Sequence, residues 1–226
     1  PPLSLGCDTA GNLYLGTGSS SGGCSPTPQS QDLFVRRYHF NGSSTWSTTI
    51  DGQAMQSVID AAADGCANMF VVGNSGNTPV VRRFDNGGTQ VWEKAYSSTT
   101  YREVDFSSAR ARDGLLAVAA YARFCYSSVY NDAFIAPVFD SSGNMVKTFV
   151  YASPPGGTRV NYTRLAWTAD GGLVVAGTVT QDPTNPAAIH LLRFSPSGSI
   201  MWHQSRVIGP PGTRVNVDAL DVDPVG

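Results

Sequence analysis

A ten-residue stretch recurs four times along this chain, as "YHFNGSSTWS" from Tyr38, "FDNGGTQVWE" from Phe84, "FDSSGNMVKT" from Phe139 and "FSPSGSIMWH" from Phe194. Each opens on an aromatic residue and places Gly fifth, and three of the four place Trp ninth. The spacings of 46, 55 and 55 residues restrict the chain to a solenoid, an array or a propeller.

Two more signals run in phase with the first. Upstream of each stretch lies a short apolar run, "GNLYLGTG" from Gly11, "NMFVVGN" from Asn68, "GLLAVAA" from Gly114 and "GLVVAGT" from Gly172. Asp/Gly turn segments stand before these runs, with Asp8, Asp64, Asp113 and Asp170, and again near the end with Asp223. One unit therefore reads as strand, Asp/Gly turn, strand, variable loop, strand ending in an aromatic, Gly turn, and a strand carrying Trp. That is a four-stranded antiparallel propeller blade, and no window holds a sustained helical period. The expected fold is all-β, a β-propeller segment over 1–226. Its four blades fall near 1–50, 51–98, 99–153 and 154–208, with an extra inner strand over 214–226. Four blades plus a surplus strand point to a larger propeller, or to partner blades from another copy.

If each Gly turn is an even-length hairpin, Arg37 faces Trp46, Arg83 faces Trp92 and Arg193 faces Trp202, while Val138 faces Lys147. The unit without the Trp is the unit without the Arg. The expectation is a guanidinium–indole brace on the outer half of each blade. The competing reading makes Trp46, Trp92 and Trp202 platforms for sugar rings.

Composition narrows the partners. Fifteen Lys and Arg against 17 Asp and Glu give a net charge of −2, which leaves no basic footprint for nucleic acid. No run of 18 apolar residues exists to span a membrane as a helix. The four cysteines show no CxxC or Cys/His spacing, so no metal site is expected. Their even number in a Ser/Gly-rich chain leans towards an exported, oxidised protein with Cys7 and Cys66 as one candidate disulfide and Cys24 and Cys125 as another.

The segments "AGNLYLGTG" (10–18) and "DLFVRRYHFNGSSTWS" (32–47) resemble the seven-bladed β-propeller (SBBP) repeats of bacterial surface and secreted proteins. The resemblance implies an extracellular or cell-surface propeller. "FDNGGTQVWE" is also similar, less closely, to the docking motif of quinoprotein propellers, but no residue set here suits that quinone, and no cofactor is expected.

Function is then sought on the long, varied loops 18–31, 74–79, 122–132 and 178–187, which leave the blades on one face. The blade-to-blade segments place Arg102, Arg159 and Arg214 in register, with Asn161 and Asn216 beside the latter two. Three guanidinium groups would bind a carboxylate or sulfate, or each would simply tie its loop to a neighbour. Phe124, Tyr126 and Tyr130 offer stacking faces in the third blade's loop. His39, His190 and His203 fall in different units without a local triad motif and read as surface strand residues. The expectation is a non-enzymatic binding or adhesion module for a glycan or protein. The alternative is a structural building block of a surface layer or filament, associating with further blades or other copies of itself.

Overall fold

A computed structural model describes residues 3–20, 31–50, 56–75, 78–126, 129–152, 159–180, 186–211, 213 and 215–223. Among the described residues, sixteen strands form four antiparallel four-stranded sheets, each in simple sequence order. The first contains β1 (Leu3–Cys7), β2 (Leu13–Ser20), β3 (Gln31–Tyr38) and β4 (Ser44–Ile50). The second contains β5 (Gln56–Ala63), β6 (Met69–Ser75), β7 (Thr78–Phe84) and β8 (Gln90–Ala95). The third runs through β9 (Glu103–Arg112), β10 (Leu115–Tyr126), β11 (Val129–Phe139) and β12 (Met145–Ala152). The fourth is built of β13 (Arg159–Trp167), β14 (Leu173–Thr180), β15 (Pro186–Phe194) and β16 (Ile200–Pro211). Among the described residues, 215–223 form no strand, so the expected extra inner strand over 214–226 is not seen there. Asp218 touches the sheets through its carbonyl, which accepts from Arg164 Nε at 3.0 Å. One side-chain bond does not make a ladder.

The chain divides into two compact units. One comprises Pro1–Ser97, Ala109–Leu116 and Phe139–Asn144, the other Ser98–Ser108, Ala117–Val138 and Met145–Gly226. In the first, Tyr14, Leu33, Val35, Val58, Ala61, Met69, Val71 and Phe84 form a core cluster with Trp46 and Ile50 packed against it. The second strands β6, β10 and β14 are covered on both faces, so they read as unbroken apolar runs, whereas β2 alternates and leaves Leu13 39% exposed. Phe70, Val71 and Val72 are buried in β6, and Val174, Val175 and Ala176 in β14. The fourth strand β4 alternates exposed and half-buried residues, as an outer strand with one wet side should, while β8 and β16 are exposed along most of their length.

The repeated Gly turns differ from the even-length hairpin expected. In each, the N–H of a glycine in the left-handed region closes back on the carbonyl three residues earlier: Gly42 N donates to His39 O at 2.8 Å and Gly88 N to Asp85 O at 3.0 Å. The glycines have φ of 86° and 84°. This is a three-residue turn with a bulge. Tyr38 consequently pairs with Ser44, and the bulge then restores the pairing of Arg37 with Trp46. The same step separates Phe84–Gln90 from Arg83–Trp92, and Phe194–Ile200 from Arg193–Trp202.

The Arg and Trp are cross-strand neighbours, but the guanidinium does not sit on the indole. Arg37 lies over the Tyr14 ring, 5.5 Å from its centroid. Arg83 donates to Asn68 Oδ1 at 2.8 Å and Arg193 to Asp170 Oδ2 at 3.1 Å, so each Arg ties down its own blade's Asp/Gly turn. What the indole meets is the next Gly hairpin. The Trp46 ring covers Gly88, and Trp92 Nε1 donates to Ser141 O at 2.9 Å. Lys147, which replaces the third Trp, donates to the Pro196 carbonyl instead. The repeat is a joint.

Candidate functional site

The residues singled out for the loop face do not assemble a site among the described residues. Arg102 is exposed, and its backbone N–H donates to Arg123 O at 3.0 Å. Arg123 itself pairs with Glu103 at 2.9 Å and reaches towards the buried Asp132, whose Oδ2 accepts from Val160 N at 2.9 Å. That cluster holds the start of β13 in place. Asn216 is exposed. Arg214 and the loop containing Cys24 lie outside the described residues, as do the side chains of Arg159, Asn161, Phe124, Cys125, Tyr126 and Tyr130. Cys7 and Cys66 are both free and exposed, so the expected bridge between them is absent. Alternation explains Cys7: Gly6 turns its Cα hydrogen to the backbone of Ala61–Ala63, and Cys7 with Leu5 takes the exposed side.

The side chains that do converge on one another lie on β12, β15 and β16. In β15 and β16 the pairings are Leu192 with His203 and His190 with Ser205. Cross-strand partners share a face, so His190, His203 and Ser205 project together. Ser205 Oγ stands 3.2 Å from His190 Nε2, His190 Nδ1 stands 2.8 Å from His203 Nε2, and His203 Nδ1 lies 3.5 Å from the Tyr151 hydroxyl. The two imidazoles stack with an interplanar angle of 21°.

One proton arrangement satisfies every link with neutral rings. Ser205 donates to His190 Nε2, His190 Nδ1–H donates to His203 Nε2, and His203 Nδ1–H points at Tyr151. Partial burial, with a second imidazole beside it, pushes His190 down to about 4, so it is neutral at physiological pH. Burial also raises the Tyr151 phenol.

Beneath the imidazoles lies Phe134, 6.5 Å from the His190 ring and 6.0 Å from the Tyr151 ring. Its edge occupies the space over Gly177, the cross-strand partner of His190; a Cβ there would fall 2.1 Å from Phe134 Cε1. Gly177 therefore sets the height of the platform on which His190 rests. His39, by contrast, sits in the first Gly turn, its ring tilted by 43° against that of Phe40.

No family model matches the chain and no curated protein is detectably similar to it, so the likeness to the SBBP repeats rests on the quoted residues alone. Solved structures do match. An ACO/RPE65 chimera and a variant of the Synechocystis apocarotenoid oxygenase (ACO) each align with a TM-score of 0.52 at 10% identity. The fold is a β-propeller. Each alignment covers 92% of this chain and 50% of the solved one, so the propeller segment spans about half the length of its structural neighbours. Those neighbours are oxygenases by name. They overturn the reading of this chain as a non-enzymatic adhesion module or structural building block, and give no support to the expectation that it is not an enzyme. Among the described residues, no three His, Cys, Asp or Glu side chains converge as a metal site requires.

Proposed function

We propose that this propeller segment belongs to an enzyme that cleaves an activated ester or thioester, with Ser205 as nucleophile, His190 as base and His203 as the residue that orients His190. The observation that carries the reading is the unbroken series Ser205–His190–His203 at 3.2 and 2.8 Å. A nucleophile, a base within hydrogen-bond reach and a third group fixing the base's tautomer are the three parts such catalysis needs. The likeness to enzymes of the same fold favours catalysis over adhesion, while 10% identity transfers neither substrate nor reaction.

In the first step Ser205 Oγ attacks the acyl carbon as its proton passes to His190 Nε2. The new Oγ–C bond forms, the bond from carbon to the leaving oxygen or sulfur breaks, and His190 returns the proton to the departing group. Water then gives its proton to His190 and attacks the acyl carbon, and Ser205 leaves with the proton restored. A base near 4 stays free of protons at neutral pH but draws weakly on a serine proton. The chemistry is therefore suited to good leaving groups such as phenols and thiols. Val207, 62% exposed and two residues beyond Ser205 on the same strand, provides an apolar surface for the acyl chain.

The test is hydrolysis of aryl esters and acyl thioesters of increasing chain length by the wild type, Ser205→Ala and His190→Ala. Loss of turnover in both variants supports the assignment. Equal turnover in all three contradicts it.

A further inference from the structure

We infer that the acyl group cleaved at Ser205 arrives on the cysteine of an extended peptide, which adds as a further strand to the outer edge of β16. The inference rests on the catalytic reading of Ser205 and His190 and names the substrate class for that site. It follows from where the ladder places the two groups, since nucleophile and base are cross-strand partners on neighbouring strands.

β16 ends its sheet. Among the described residues, β15 pairs with one side of it and no strand pairs with the other. The edge is long and unguarded: β16 runs for 12 residues, every residue over 200–208 is exposed, and neither Lys nor Pro occurs in it before Pro210. The other outer strands are shorter, and two of them carry a lysine, β8 with six residues and Lys94, β12 with eight and Lys147. Short length and lysine are the usual guards against pairing at a sheet edge, and a long strand without them is a template for an incoming chain. Pro210 and Pro211 have no N–H to donate, so the usable edge is 200–209, with Ser205 near its middle.

An antiparallel strand on that edge puts one of its residues opposite Ser205 and on the same face, with the two Cβ atoms about 4.5–5.5 Å apart. On the other side of Ser205 the same ladder geometry places His190, whose Nε2 is 3.2 Å from Ser205 Oγ. Base, nucleophile and electrophile thus stand in a row across three strands. The reach selects the residue that carries the acyl group. In S-acyl cysteine the acyl carbon lies two bonds beyond Cβ, within range of Ser205 Oγ, whereas O-acyl tyrosine carries it a whole ring further, past the nucleophile. Acyl serine or threonine has the reach but must leave as an alkoxide, while a thiol, with an ordinary pKa of about 8.5, leaves far more readily. Val207, next along the same face, meets the acyl chain. The step needs no reagent other than water. The bond from Ser205 Oγ to the acyl carbon forms, the carbon–sulfur bond breaks, and the proton taken up by His190 passes to the cysteine sulfur. The peptide leaves as a free thiol, and water releases the acid from Ser205.

The experiment measures kcat/KM of the wild-type chain on a short peptide of β-forming residues with a central S-hexanoyl cysteine, on two versions of it N-methylated along one edge or the other, and on S-hexanoyl N-acetylcysteamine. The unmodified peptide should exceed the small thioester by about 30-fold, the weight of two or three net backbone hydrogen bonds, through a lower KM. Methylation of the pairing edge should remove that advantage, and methylation of the opposite edge should leave it. Equal kcat/KM on peptide and small thioester would overturn the inference while the reading of Ser205 stands. An advantage that survives methylation of either edge would overturn it as well, since strand addition would not be its source. Hydrolysis of aryl esters but of none of these thioesters would overturn the inference alone, and no turnover of any ester would remove the catalytic reading with it.

Discussion

The indole N–H of Trp92 donates to the carbonyl oxygen of Ser141 at 2.9 Å, and two residues further on Gly143 leaves its Cβ position open beneath the ring. The glycine is favoured by its φ of 82°, and an added methyl would crowd the Trp92 ring at 3.1 Å. Gly88 is placed in the same way under Trp46, whereas Gly198 has a φ of 96° with nothing within 4 Å. Gly88→Ala should therefore cost about 2–4 kcal/mol, combining left-handed strain with overpacking. Gly198→Ala should cost only about 1–2 kcal/mol, the strain alone. Urea unfolding of the two variants measures the difference.

The inner strands of the first unit are stitched by a carboxylate. Asp60, beside a bulge in β5, accepts from Ala109 N at 2.8 Å and from Arg110 Nη1 at 3.3 Å. Ala109 is fully buried. Asp60→Ala strands that N–H without its acceptor and should lower stability by about 1–3 kcal/mol. Asp60→Asn, which keeps an acceptor oxygen, should lose less. Thermal or chemical unfolding of the pair checks the ordering.

Ala67 holds a φ of 61° at the position that Gly11 and Gly171 fill in the equivalent turns. A Cβ is strained there. Ala67→Gly should stabilise the chain by roughly 0.5–1 kcal/mol, the reverse of the usual effect of adding glycine. The unfolding midpoint of this single variant is sufficient.

His190 carries two linked pH predictions. Acylation of Ser205 needs a neutral His190, so the rate should be flat from neutral pH downwards and fall only as the pH passes through about 4. The folded value lies below the ordinary 6.5, so between 6.5 and 4 the unfolded chain binds more protons. Stability should therefore decrease as pH falls through that window, and His190→Asn should flatten the slope. A pH series of unfolding curves for both proteins reads this directly.

Much of the fold was legible because the turn chemistry repeats. Asp113–Gly114, both at positive φ, and the Gly turns at 42, 88, 143 and 198 mark the strand ends that the Asp/Gly and Gly spacings indicated. The Arg–Trp register followed from counting, since the bulge that invalidates the even-length hairpin cancels out before Arg37 meets Trp46. The destination of the guanidinium was not legible. It depends on where the Asp/Gly turn of the same blade lies in space, and no cross-strand count contains that distance.

The same counting would have found the candidate site. Pairing Arg193 with Trp202 places Leu192 opposite His203 and His190 opposite Ser205, three polar groups on one face of one hairpin. No local motif within either strand marks them, because nucleophile and base are 15 residues apart in the chain and adjacent only across the ladder. Tyr151 and Phe134 were beyond reach for a further reason: they belong to the third sheet, so their approach to His190 is a packing distance between sheets.

The most direct test of the account is covalent labelling of the purified chain with a fluorophosphonate at neutral pH, followed by peptide mapping. The account predicts a single adduct on Ser205, abolished in His190→Ala and slowed in His203→Ala. An unlabelled Ser205 in the folded wild type, or labelling that persists in His190→Ala, would contradict it.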